Sequence, residues 1–170
     1  MRKEDKAGLV TFNEHFDTFI PASRQPGQNA GVIGEPLQPA DYDFGETDLF
    51  LIVRTLEQAC QQTEPLVLYT NFSGISSLNR QLAYLQQLNR QHRLLVIFFE
   101  DTDLEEYIAT PVKDTEGYYR HVIAEKFVFE KRLIVSTLKQ HGICSLLITP
   151  ENLSVDVINK YLEMKSRNQI

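Results

Sequence analysis

The run Leu94-Leu95-Val96-Ile97-Phe98-Phe99, leading into Glu100-Asp101-Thr102-Asp103, decides how this chain folds. It is strand-sized, far shorter than the roughly 20 residues of a membrane span. A strand that is apolar at every position must be covered on both faces. Two other runs share its character. Leu66-Val67-Leu68-Tyr69 follows Pro65, and Cys144-Ser145-Leu146-Leu147-Ile148-Thr149 ends at Pro150. Helical spacing fills the intervals. Leu78, Leu82, Leu85 and Leu88 mark one stripe of a helix, and a short helix from Leu104 to Ala109 stops before Pro111. A long helix from Thr115 to Gln140 is expected to turn Ile123, Phe127, Ile134 and Leu138 inward, with Gly142 as its stop. Ser154 starts the last helix, Val155 to Lys165.

Working toward the N-terminus, Leu49, Ile52, Val53, Leu56 and Cys60 repeat at helical spacing, so Asp48 to Gln61 reads as an amphipathic helix with Thr47 as its cap. Residues Ala7 to Ala22 read as a hairpin, with Asn13-Glu14 between two strands and Pro21 ending the second. From Ser23 to Glu46 the chain is mostly connection, with room for a short helix around Asn29 to Gly34. Strands alternating with helices form a parallel sheet through right-handed crossovers. The expected architecture is therefore α/β and Rossmann-like: a mostly parallel sheet with helices on both faces and an antiparallel edge hairpin. All of it, residues 1–170, reads as a single domain.

Composition narrows the function. A net charge of −6 over 170 residues argues against a nucleic-acid binder, which would concentrate Lys and Arg on one face. Without an apolar signal segment after the charged Met1–Lys6, the chain is expected to be soluble and cytoplasmic. Cys60 and Cys144 are too few and too distant for a zinc ribbon or a redox pair, and read as small core residues.

In an open α/β sheet, ligands bind at the carboxyl ends of the strands. Those ends carry Thr70-Asn71-Phe72-Ser73-Gly74, Glu100-Asp101-Thr102-Asp103 and Thr149-Pro150-Glu151-Asn152. Their oxygens suit a hard cation such as magnesium, yet the same residue types cap helices and close turns. Asp101 and Asp103 resemble the nucleophile and general acid of the magnesium-dependent haloacid dehalogenase-like phosphatases. That pattern expects Thr or Val two residues after the second Asp, where this chain has Glu105. Asp103 reads more simply as the N-cap of the Leu104 helix. Gly27, Gly31 and Gly34 fit no phosphate-binding fingerprint, and His15, His92, His121 and His141 stand at no metal-ligand spacing.

Several segments together resemble a known family. They are Asp5 to Phe12, Leu68 to Phe72, Ala124 to Phe127, Glu130 to Val135 and the closing Ile158-Asn159-Lys160-Tyr161-Leu162-Glu163-Met164-Lys165. They look like the C-terminal portion of the bacterial von Willebrand factor A-like proteins called domain of unknown function 58. The resemblance implies a non-catalytic protein-binding domain that works with a MoxR-type AAA+ ATPase. It also implies longer relatives anchored by N-terminal membrane helices. The family's adhesion site starts with Asp-Xaa-Ser-Xaa-Ser after a first, central strand, which this chain lacks. The resemblance places Thr47 and Asn71 at two remaining metal positions. Two neutral side chains make poor magnesium ligands, so no cofactor is expected in this chain and magnesium only in a full-length form. As ordinary residues, Thr47 caps a helix and Asn71 turns the chain.

The same resemblance puts the missing strand between the Leu9 and Leu66 strands. Two edges would then face each other with unpaired backbone groups. Either the gap closes, or the chain self-associates to fill it.

Overall fold

The computed structural model describes residues 7–12, 16–23, 49–60, 62–112 and 114–167. The chain divides into two compact units, residues 1–61 and 62–170. Thr47, the Gly27–Gly34 stretch and His15 lie outside the described residues.

In the first unit, β1 (Ala7–Phe12) pairs antiparallel with β2 (Phe16–Ser23), with Leu9 opposite Ile20 and Val10 opposite Phe19. The second strand was expected to stop at Pro21 but runs on to Ser23. The register explains this. Between the Leu9–Ile20 and Ala7–Ser23 pairs, β2 carries one residue more than β1, so Pro21 falls in a bulge. A bulge tolerates a residue that has no N–H to donate. Gly8 stands opposite, where a Cβ would come within 2.7 Å of the Ile20 carbonyl oxygen. The close approach of the two backbones therefore calls for glycine. Helix α1 (Leu49–Ala59) follows and touches β2. It buries Leu49, Ile52, Val53 and Leu56, the stripe predicted from spacing, while Cys60 lies just past its end and is only partly buried.

The second unit holds a parallel sheet in the order β3 (Pro65–Tyr69), β4 (Arg93–Phe99), β5 (Cys144–Ile148). Leu66 pairs with Leu94, and Leu95 pairs with Cys144. Four helices belong to it: α2 (Ile75–Gln91), α3 (Thr102–Ala109), α4 (Thr115–Gln140) and α5 (Leu153–Ser166). A 3-10 turn, Pro150–Asn152, leads into α5. The described strands thus form two sheets, and the hairpin is a sheet of its own rather than the expected edge of the parallel one.

Central β4 is core throughout: Leu94 to Phe98 are each no more than 2 % exposed. Burying a side chain of this size contributes about 1.5–3 kcal/mol relative to leaving it in water, so this strand anchors the unit. On one face, α2 and α4 pack side by side. The buried Ser145 hydroxyl donates to the Val135 carbonyl at 3.1 Å and ties β5 to α4. On the other face, Leu95, Ile97 and Ile148 meet Met164, with Cys144, Leu146, Leu153 and Val157 packed around them.

That second face is covered only in part. Val67, Tyr69 and Phe99 share it and stay 41 %, 48 % and 36 % exposed, with the Tyr69 and Phe99 rings stacked at 6.4 Å. The expectation of cover on both faces therefore holds for β4 and fails for β3. The reason is position: among the described strands β3 is an edge, and α5 packs over β4 and β5.

A second correction concerns α4. Ile134 and Leu138 are buried as expected, but Ile123 and Phe127 are 46 % and 52 % exposed, and Ala124 takes the inward position. Twenty-six residues make a helix of roughly 39 Å at 1.5 Å per residue. A five- to seven-residue strand spans only about 17–24 Å. The N-terminal half of α4 therefore outruns the sheet. Among the described elements, the small α3 lies against α4, through the Tyr107–His121 ring contact and, further along, the Arg132–Glu105 ion pair at 3.0 Å.

The stop at Gly142 is as predicted. Its N–H donates to the Lys139 carbonyl and that of Ile143 to Leu138, both at 3.0 Å, which is a Schellman closure. Leu138 and Ile143, at 0 % and 1 % exposure, supply the apolar contact that accompanies it. No helix among the described residues is long and apolar enough to cross a membrane.

Candidate functional site

The polar segments named from sequence do converge at the carboxyl ends of β3, β4 and β5. Each first loop residue extends the ladder by a step: the Thr70 N–H donates to the Ile97 carbonyl at 3.2 Å, and that of Glu100 to Ile148 at 2.9 Å. Phe72 then folds back onto Phe98, with ring centroids 5.9 Å apart, and is itself 7 % exposed. This contact closes the β3–α2 loop and leaves Asn71 and Ser73 on either side of it, exposed to water.

The two aspartates after β4 have exchanged their expected parts. Helix α3 starts at Thr102, two residues earlier than read from sequence, so Asp101 is its N-cap. The Asp101 Oδ1 accepts the Leu104 N–H at 3.1 Å, and its backbone carbonyl accepts the Glu105 N–H at 3.1 Å. Asp103 and Glu105 lie within the first turn, where negative charge favours the helix dipole. The sequence offered an Asp at both positions. The deciding factor is strand length: β4 ends at Phe99, and the cap falls where the chain first leaves the sheet. At the third strand end the Asn152 side chain donates to the Thr149 hydroxyl at 3.0 Å, closing the turn before α5.

Two residues join this end of the sheet that the sequence reading did not select. The Lys131 ammonium donates to the Phe99 carbonyl at 2.9 Å, capping the strand end opposite Asp101. The Glu130 carboxylate lies against Gly74, where a Cβ would approach it to 2.6 Å. Glu130 thus puts negative charge at the N-terminus of α2, while Lys126 lies 3.8 Å from it one turn away. Neither contact could be read from spacing, because it depends on the rotational phase of α4 over the sheet. In the sequence, Glu130-Lys131 stands out only as part of a family resemblance.

Chemically, this end of the sheet offers an ammonium, a helix N-terminus with a carboxylate beside it, and the exposed side chains of Asn71, Ser73 and Asp103. Among the described residues, no three His, Cys, Asp or Glu side chains are grouped to hold a metal ion. Thr47, the other metal position implied by the resemblance, lies outside the described residues.

The closing motif plays a packing part. Glu163 receives the Lys160 ammonium at 2.8 Å and the Arg167 guanidinium at 2.9 Å. The hydrogen bond from Lys160 holds the Glu163 carboxyl below its ordinary range, and the same bond raises Lys160. Lys165 lies over the Tyr161 ring at 5.3 Å, and Met164 fills the core beneath. Comparison of the chain with family models, with curated proteins and with solved structures finds no match.

Proposed function

We propose that this chain is a protein-interaction domain of the von Willebrand factor A-like kind, and that it works with a MoxR-type AAA+ ATPase. The observation that carries the reading is the edge at β3. This strand has a ladder partner on one side only among the described residues, and it leaves Val67 and Tyr69 open to water. An unpaired strand edge beside exposed apolar side chains is a surface that takes up another strand.

The engagement of Asp101 in a helix cap favours this reading over the phosphatase alternative, since a nucleophile needs its carboxylate oxygens turned to the substrate. The test has two arms. In the first, the purified chain is titrated with a MoxR-type ATPase and saturable binding is expected. In the second, it is offered aryl phosphate with magnesium, where turnover abolished by Asp101→Asn would overturn the proposal. Magnesium alone should give no saturable heat, because a strongly hydrated ion gains little from neutral ligands. A micromolar site that disappears on Asn71→Ala would contradict this.

A further inference from the structure

Among the described strands, the parallel sheet ends at β3 on one side and at β5 on the other. The two edges are unlike. Every residue of β5 is buried or partly buried, whereas Pro65, Val67 and Tyr69 of β3 are exposed. The ladder fixes what the β3 edge offers. The Arg93 N–H donates to the Glu64 carbonyl and the Thr70 N–H to the Ile97 carbonyl, so the even-numbered residues of β3 bond to β4. Backbone groups of successive residues turn to opposite sides of a strand, which leaves those of Pro65, Val67 and Tyr69 turned outward. Pro65 has no N–H to give. Val67 and Tyr69 therefore each present one donor and one acceptor along the edge, with Phe99 beside them on the open face.

This pattern is complementary to itself. In an antiparallel pair, facing residues that point at each other exchange both N–H···O bonds. A two-fold axis through Leu68, perpendicular to the sheet, sets Val67 opposite the copy's Tyr69 and Tyr69 opposite the copy's Val67. Every outward donor and acceptor of both residues then has a partner. Moving the axis to Val67 would set each Tyr69 carbonyl against a proline. Moving it to Tyr69 would set Val67 against Asn71, beyond the end of β3. The side chains agree with the backbone, because this axis keeps the open faces of both copies on one side. Val67 is level with Leu95, and Tyr69 with Ile97. An apolar row therefore runs unbroken from Leu95 through Val67 to the copy's Tyr69 and Ile97, and again in the opposite sense. A β-branched residue facing an aromatic is a favourable cross-strand pair. Charged side chains commonly keep an edge from pairing, and Pro65-Leu66-Val67-Leu68-Tyr69 holds none. Self-complementarity of this kind is what an isologous interface requires.

We infer that the β3 edge is a homodimer interface, in which two copies of the chain pair antiparallel about Leu68 and join their parallel sheets into one. The inference rests on the reading of β3 as an edge that takes up a strand. It names the occupant in the free chain, a second copy that a partner's strand must displace. So short a seam makes a reversible dimer. Sedimentation equilibrium over a concentration series, with hydrogen exchange at each concentration, tests it. The wild-type chain should dimerise, and the Val67 and Tyr69 amides should become protected as it does. The variant Val67→Lys with Tyr69→Lys sets cations face to face and should leave only monomer. Val67→Glu with Tyr69→Lys sets opposite charges face to face in this register, and should dimerise about tenfold or more tightly than the double-lysine variant. Both positions are exposed, and circular dichroism of the dilute variants should confirm an unchanged fold. A monomeric wild type overturns the inference. So does a dimer whose Val67 and Tyr69 amides stay unprotected, or a Glu–Lys variant no tighter than the double-lysine one. A chain that binds the ATPase but never dimerises overturns this inference alone. A chain that dimerises with both amides protected, yet ignores the ATPase, upholds it and overturns the ATPase partnership.

Discussion

Burial holds the His92 imidazole below the ordinary histidine range, although Glu64 pulls the other way. Its Nδ1 accepts the Glu64 N–H at 3.4 Å, a contact that only a neutral ring with its proton on Nε2 can make. Folded His92 therefore binds a proton less readily than unfolded His92. Its contribution is fully present above about pH 6.5 and is lost as pH falls through the lowered folded value. Urea unfolding should show a lower midpoint at pH 5 than at pH 7.5, and His92→Gln should flatten that difference. An unchanged slope in the variant would remove His92 from the account. Gly142 is the other residue with a specific demand. Its φ of +74° lies in the left-handed region, and nothing crowds the space where a Cβ would stand. Gly142→Ala should cost about 1–2 kcal/mol through backbone conformation alone, read as a loss in the same urea transition. Gly142→Asn should cost less, because Asn tolerates that region.

At the scale of elements, α3 and α4 each begin on an aspartate. Asp101 accepts from Leu104, and Asp114 accepts the Gly117 N–H at 2.6 Å. Asp101→Ala and Asp114→Ala should each cost about 1 kcal/mol, the ordinary loss of an N-cap. Asp103→Ala, inside the first turn, should cost only a few tenths through the helix dipole. If Asp103→Ala proved the more costly, the expectation from sequence would be right and the observed cap wrong. Helix α4 shows the same contrast along its length. Leu138, fully buried, should cost about 2–5 kcal/mol when cut to Ala. Phe127, half exposed, should cost far less despite its greater size. Chemical denaturation of the two variants measures both, preferably under conditions that keep the chain monomeric.

At the scale of the whole molecule, the exposed edge makes a prediction for hydrogen exchange. The Thr70 N–H donates into the sheet, to Ile97 of β4. By the alternation of a parallel ladder, the amides of Val67 and Tyr69 point the other way, out of the edge. In the dilute chain those two should exchange rapidly while Leu95, Val96 and Ile97 in the central strand exchange slowest. Protection of Val67 and Tyr69 in the isolated chain would mean that the edge is already paired. Protection that appears only on adding a partner would place that partner's strand at β3.

Much of this was legible beforehand, for a definite reason. The runs at Leu66, Leu94 and Cys144, and the helical spacing between them, record burial directly, so the three parallel strands and the helices between them could be read off. The Gly142 stop was equally plain, since a left-handed turn after a helix selects glycine almost alone. The contacts that could not be read depend on how far each element extends past its neighbours. Periodicity assigned Ile123 and Phe127 to the inner face of α4 without knowing that the helix outruns the sheet. Composition assigned full cover to β3 without knowing which strand is the edge. Two aspartates with equal claims to a helix cap were separated only by where β4 ends, and Glu130 and Lys131 reached the strand ends only through the phase of α4. Sequence by itself determined which side chains seek the core. Only the tertiary structure decided which of them found one, because cover depends on the neighbour's length and place.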